Sequence, residues 1–92
     1  MIEIYGVPEH LFKCPGCMAA ISYCEHNDLE FRFIPILLDA DNELGFEYDR
    51  PAIEELRVKA GKETPPRRYP QIFVDGEWIG GFQTFKEKYG HE

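Results

Sequence analysis

The sequence lacks a basic cluster: ten Lys and Arg stand against seventeen Asp and Glu, for a net charge of −7 at pH 7. Nucleic acid and anionic lipid both demand a concentrated positive face, so neither is an expected partner. It also lacks any apolar run near the roughly 20 residues that span a bilayer. Met1-Ile2-Glu3-Ile4-Tyr5 has neither the basic start nor the long apolar stretch of a secretory signal. A cytoplasmic protein without a membrane segment is the expectation. Cysteine is scarce, and three residues, an odd number, do not make the disulfide framework of a small secreted domain. No repeat or linker interrupts the chain, so residues 1–92 read as one domain, expected to be a monomer. Apolar and aromatic residues are plentiful. Seven Phe, five Tyr and one Trp within a 43% hydrophobic content can fill a single core without stapling disulfides.

The placement of the cysteines matters more than their number. Lys13-Cys14-Pro15-Gly16-Cys17 follows a short alternating strand, Ile2 to Tyr5, and a loop from Gly6 to Lys13. It opens an apolar helix from Pro15 to about Asn27, in which Cys17, Ile21 and Cys24 share a face. Two cysteines three apart at a helix start lie close enough to close a disulfide. The unpaired N–H groups and positive dipole end of the helix favour a thiolate there, and Lys13 adds a cation. Pro15 fits the first turn, where its missing N–H costs nothing. Such a pair in a cytosolic chain is catalytic or metal-binding. A zinc site would need Cys24 and His26 to complete it, and Cys24 lies about 10 Å further along the same helix. Cys24 reads as an inert buried thiol beside Ile21.

Glu30 to Leu38 reads as a second strand, with Pro35 requiring an edge or a strand end. Asp39 to Tyr48 reads as an acidic loop. Asp49 caps a helix running through Ala60, with Pro51 in its first turn and Gly61 as its stop. Lys62 to Tyr69, with two prolines and two arginines, must be extended. Gln71 to Asp75 and Glu77 to Ile79 make a hairpin about Gly76, Gly80-Gly81 breaks the sheet, and Phe82 to Tyr89 forms a last helix with Phe82, Phe85 and Tyr89 on one side. The order strand, helix, strand, helix, strand, strand, helix gives an α/β fold. A parallel right-handed unit is extended by two antiparallel strands into a mixed four-stranded sheet flanked by three helices. Active residues belong at the carboxyl end of the first strand, where Cys14 stands. Trp78 and the Phe residues read as core. His10, His26 and His91 have no partner evident in the sequence; His10 is the one near Cys14.

Four segments in this order resemble the glutaredoxins of the thioredoxin superfamily: Cys14-Pro15-Gly16-Cys17, Lys59-Ala60-Gly61-Lys62, Tyr69-Pro70-Gln71-Ile72-Phe73-Val74-Asp75 and Ile79-Gly80-Gly81-Phe82. The short length and the Lys before the first Cys look most like the small phage-type dithiol members. The resemblance implies a thioredoxin-like fold and thiol–disulfide exchange, with Cys14 attacking and Cys17 resolving. It implies a cis Pro70 that brings the Tyr69 backbone beside Cys14, to pair with glutathione as co-substrate. Gly80 and Gly81 would allow close approach, and the N–H groups of Phe82 and Gln83 would hold the γ-glutamyl carboxylate. Lys13 and Arg68 are the candidates for glutathione's other carboxylate. No metal is expected, and disulfide proteins such as ribonucleotide reductase are the implied partners. Two alternatives are a thioredoxin-like donor recharged by a flavoprotein reductase and a carrier of an iron–sulfur cluster. The chain departs from the family pattern at Gly16, where Tyr is frequent, at Gln83-Thr84, where an Asp is frequent, and at Arg68-Tyr69, where Thr-Val is usual.

Overall fold

The computed structural model describes residues 1–89. In chain order it contains β1 (Ile2–Gly6), α1 (Pro15–His26), β2 (Phe31–Pro35), β3 (Leu37–Asp39), β4 (Phe46–Tyr48), α2 (Arg50–Ala60), β5 (Gln71–Val74), β6 (Glu77–Gly80) and α3 (Phe82–Tyr89). The main sheet runs β2-β1-β5-β6. β1 pairs parallel with β2 and antiparallel with β5, and β6 returns antiparallel along β5. This is the mixed four-stranded sheet with three helices expected of a thioredoxin-like fold.

Successive strand residues face opposite sides, and here both sides are buried. On one face Ile4 and Ile72 pack with Ala20 and Cys24 of α1 and Phe85 of α3. On the other, their neighbours Tyr5 and Phe73 pack with Leu56 of α2 and with Ile36 and Leu37. The sheet is thus the middle of three layers, and α1 starts where β1 ends. Helix ends follow local chemistry. The Asp49 carboxylate accepts from the Ala52 N–H at 3.1 Å, and Gly61 takes the left-handed conformation (φ 69°) that ends α2. The Asn27 side chain caps α1 by donating to the Tyr23 carbonyl at 2.8 Å, so the helix stops at His26.

Three readings of the sequence need correction. The single strand expected from Glu30 to Leu38 is two: Pro35, without an N–H, ends β2, and the Ile36 N–H makes a last bond to the Gly6 carbonyl at 3.0 Å. The chain then leaves the main sheet. The acidic stretch expected to be a loop is therefore largely a hairpin, in which Leu37, Leu38 and Asp39 pair with Tyr48, Glu47 and Phe46. Asn42 and Gly45 form its turn, the Gly45 N–H donating to the Asn42 side chain at 2.8 Å. Phe12 and Trp78, both expected in the core, are 48% and 38% exposed, and Trp78 lies on edge strand β6. Its indole N–H donates to Gln71 Oε1 at 2.7 Å, and the Lys62 ammonium stands 4.3 Å from its ring centroid. His91 and the side chain of Tyr89 lie outside the described residues.

α2 is tied to the sheet by a partly buried cation. Lys59 Nζ donates to Glu3 Oε1 at 2.6 Å and to the Tyr5 hydroxyl at 3.2 Å, and lies 4.9 Å from the Phe73 ring centroid. The Tyr5 hydroxyl in turn donates to Glu55 at 2.8 Å. Burial pushes the Tyr5 phenol above its ordinary pKa, and the bond to Glu55 adds to this. For Lys59 burial acts downward, but the bonds to Glu3 and Tyr5 outweigh it and raise the pKa. Burial also raises the Cys24 thiol.

Each of these groups holds its proton more tightly folded than unfolded. Its contribution is therefore complete below the unfolded pKa and lost as pH rises through the folded one. The urea midpoint of the oxidised protein should hold up to roughly pH 8.5, the ordinary thiol value, and then fall steadily as the pH passes about 10. Tyr5→Phe should flatten the upper part of that fall. A midpoint unchanged to about pH 11 would contradict the network's role.

Candidate active site

The sulfurs are placed by the turn that leaves β1. The Leu11 and Phe12 N–H groups both donate to the Pro8 carbonyl at 3.1 Å, folding residues 8–12 tightly enough to deliver Cys14 to the start of α1. Cys14 is the helix N-cap, with extended backbone (φ −130°, ψ 92°). Its sulfur accepts from the Cys17 N–H at 3.3 Å, the role an Asp or Ser oxygen usually plays. Cys14 and Cys17 are joined in a disulfide, their Cα atoms 5.2 Å apart. Cys14 is half-buried, whereas Cys17 is 1% exposed. A second backbone donor, the Val7 N–H, points at Cys17 Sγ from 3.5 Å. Both sulfurs thus face N–H dipoles that stabilise negative charge.

The Tyr69–Pro70 peptide is cis, and the Tyr69 carbonyl oxygen lies 3.8 Å from Cys14 Sγ. Pro70 also touches α1. A Cβ on Gly16 would come 2.9 Å from Pro70 Cδ, so the helix start seats on the proline ring only because residue 16 has no side chain. Gly6 has the same function on the other side, where a Cβ would lie 2.8 Å from Cys17 Sγ and 3.1 Å from the Phe33 ring. The sequence marked Gly6 only as a strand end.

Beside the disulfide lies a cleft of about 470 Å³, lined by Gly16, Arg68, Tyr69, Pro70, Gln71, Gly81, Phe82 and Gln83. The first helical bond of α3 runs from the Phe85 N–H to the Gly81 carbonyl at 3.0 Å. The preceding amides of the first turn have no intrahelical acceptor. Gly80 is buried at the end of β6 with φ 112°, a value that glycine adopts freely, and adjoins the cleft without lining it. The cleft therefore gathers Arg68, Tyr69, Pro70, Gly81, Phe82 and Gln83. Lys13 is apart from them, exposed in another hollow with Phe12, Phe46, Tyr48, Arg67 and Tyr69. Tyr69 is the wall between Lys13 and Arg68.

Gln71 was not singled out from the sequence. It is 7% exposed, donates to the Arg68 carbonyl at 2.8 Å and accepts the Trp78 indole N–H. A polar residue beginning an apolar strand is the signal that marks it. His10 has a partner that the sequence did not reveal: its Nε2 lies 2.8 Å from Oδ1 of Asp39, the last β3 residue before the hairpin turn. Cys24 belongs to the apolar core with Ile4 and Phe85. Among the described residues no group of three or more Cys, His, Asp or Glu side chains is assembled to hold a metal, and no helix is long and apolar enough to cross a membrane.

No protein-family model matches the chain. It is 35% identical over 86 residues to an uncharacterized 11.8 kDa protein in the Gp55–nrdG intergenic region of Enterobacteria phage T4, covering 94% of this chain and 81% of that one. It is 31% identical over 77 residues to glutaredoxin 1 of Escherichia coli strain K12, covering 78% and 76%. Its backbone superposes on the structure of reduced Escherichia coli glutaredoxin with a TM-score of 0.64 at 27% identity, over 99% of this chain and 94% of that one.

Gly6→Ala tests the packing against Cys17 directly. Overfilling a packed site costs about 1–3 kcal/mol, and here the added methyl meets the sulfur and an aromatic ring. Chemical denaturation of the oxidised protein should show a loss in that range, and a variant as stable as wild type would contradict the close approach.

Proposed function

The chain belongs to the glutaredoxin family and is a thiol–disulfide oxidoreductase; on that premise we propose that it is a dithiol glutaredoxin recharged by glutathione, with Cys14 the nucleophile and Cys17 the resolving thiol. The observation that carries the assignment of roles is the asymmetry of the pair. Cys14 is half-buried at the mouth of the helix with the Cys17 N–H directed at its sulfur, while Cys17 is sealed beneath it. An incoming disulfide reaches only the first.

In the reducing direction the Cys14 thiolate attacks one sulfur of a substrate disulfide. A Cys14–substrate bond forms and the other substrate sulfur leaves as thiolate. Cys17, deprotonated and supported by the Val7 N–H, then attacks Cys14 Sγ, which closes the Cys14–Cys17 disulfide and releases the second substrate thiol. One glutathione thiolate reopens that disulfide at Cys14 and frees Cys17. A second attacks the glutathione sulfur, giving glutathione disulfide and restoring the Cys14 thiolate. Protein disulfides, that of ribonucleotide reductase among them, are the proposed oxidants.

The cleft between Tyr69 and Gly81 supports glutathione as the reductant. It offers the α3 amides of Phe82 and Gln83 to a carboxylate, the Tyr69 backbone to the peptide and the Arg68 guanidinium to the remaining carboxylate. Most of these contacts come from backbone, so they tolerate Gln83-Thr84 where the family often has Asp. At Gly16, where many members carry Tyr, the helix start packs against the Pro70 ring instead. Lys13, beyond the Tyr69 wall, is left out of this set.

Two measurements check the reading. Iodoacetamide on the reduced protein near pH 7 should modify Cys14 first by mass spectrometry. Cys14→Ser should abolish turnover, and Cys17→Ser should still reduce glutathione mixed disulfides by a one-thiol route. First labelling of Cys17 or Cys24 would overturn this assignment. Arg68 is exposed, so its ion pair with glutathione is worth about 1 kcal/mol or less. Arg68→Ala should therefore raise the KM for glutathione by up to about fivefold and leave kcat nearly unchanged. If wild type takes electrons from thioredoxin reductase and none from glutathione, the thioredoxin-like alternative replaces this one.

A further inference from the structure

On the far side of Tyr69, two hollows run together from Lys13 past the β3–β4 hairpin to the start of α2. The nearer, of about 290 Å³, includes Phe12, Lys13, Phe46 and Tyr48. The larger, of about 630 Å³, includes Arg50, Ile53, Pro65 and Pro66. Tyr48, Arg67 and Tyr69 line both, making one trough. Its near end adjoins the disulfide: Lys13 precedes Cys14, and Tyr69, which lines both hollows, has its carbonyl 3.8 Å from Cys14 Sγ.

Its charge runs against that of the molecule. Arg32, Arg57, Lys59 and Lys88 have carboxylate partners, and Lys62 sits over Trp78. The other five Lys and Arg side chains make no ion pair among the described residues: Lys13, Arg50 and Arg67 line the trough, whereas Arg68 and Lys86 lie outside it. The one carboxylate on its wall, Glu54, is already held by Arg57, with Nε to Oε2 at 2.9 Å. In β4, Phe46 and Tyr48 line the trough while Glu47 between them takes the opposite face of the strand. The aromatic rings are left unusually open: Phe12 is 48% exposed and Tyr48 58%. They form an edge-to-face row through Phe46, with centroids 5.0 and 6.2 Å apart. Exposed Tyr and Arg grouped around apolar surface are the composition from which binding patches draw most of their energy.

We propose that this trough receives the polypeptide flanking the disulfide of a protein substrate, and that the segment it selects is acidic with apolar side chains interspersed. Carboxylates pair with Arg50 and Arg67, and the apolar side chains lie on Tyr48, Ile53 and Pro65. The inference rests on the reading that the substrate sulfur meets Cys14, and it assigns the two sides of that sulfur to different ligands. The substrate chain takes the arginine trough and glutathione takes the Gly81–Gln83 cleft.

Binding separates this from the redox reading. The probe is a fluorescein-labelled peptide rich in Asp, Glu and Leu, with serine for its cysteines, titrated into the oxidised protein by anisotropy. A second peptide carries Asn and Gln in place of the acids. Two exposed ion pairs of up to about 1 kcal/mol each predict roughly tenfold tighter binding of the acidic peptide, lost in Arg50→Gln/Arg67→Gln. The same double variant should reduce a glutathione mixed disulfide at the wild-type rate and show a raised KM, with unchanged kcat, for a disulfide version of the acidic peptide. Equal binding of the two peptides, or wild-type affinity in the double variant, overturns the proposal even if glutathione turnover is normal. Charge-dependent binding that persists when glutathione fails to recharge the enzyme upholds the trough and removes the glutathione reading alone.

Discussion

The first turn of α1 is held between the end of β1 and the Pro70 ring at distances that leave no room for a Cβ on either Gly6 or Gly16. Much of the chemistry depends on that closeness. It brings the Val7 N–H to Cys17 and the Tyr69 carbonyl to Cys14, so that one sulfur lies sealed and the other faces a groove. Neither glycine is there for a turn. Both are spacers of zero length at a junction where a strand end, a helix start and a loop meet.

Tyr69 divides the surface around that junction, and its position is fixed from below. Gln71 holds the Arg68 carbonyl and is itself held by Trp78, so the loop carrying Arg67, Arg68 and Tyr69 is pinned to the β5–β6 hairpin through one buried amide. Burying that amide costs little because both its ends are satisfied. Burial of the Tyr69 ring, with Tyr48 close by, raises its phenol pKa still further above neutrality. That uncharged ring stands between the cleft that holds Arg68 and the hollow that holds Lys13.

The features legible in the sequence were those set by neighbours in the chain. The Cys14–Cys17 spacing, the Asp49 and Gly61 caps and the Gly76 turn each depend on a few consecutive residues, and the main sheet follows from their order. The β3–β4 hairpin escaped because charges on its exposed face and in its turn hide the alternation of Phe46 and Tyr48. Trp78 misled because size suggests burial, whereas an edge strand leaves its ring half in water. The His10–Asp39 pair, the Gly6 approach to Cys17 and the separation of Lys13 from Arg68 all join residues distant in the chain. A linear pattern carries no signal for such meetings. The cis peptide before Pro70 came from family resemblance, since the local residues only permit it.

Cys24 gives the core a third sulfur within one helix of the other two. A dithiol enzyme with a spare thiol is ordinarily at risk of scrambling, in which the wrong pair bridges and the molecule leaves the cycle. Here the extra sulfur is fully buried and keeps its proton beyond the usual thiol range, so at neutral pH almost none of it is in the nucleophilic form. Of the three pairings that three cysteines allow, two are closed kinetically. Burial thus leaves disulfide chemistry to the one bridge that the structure holds, Cys14–Cys17.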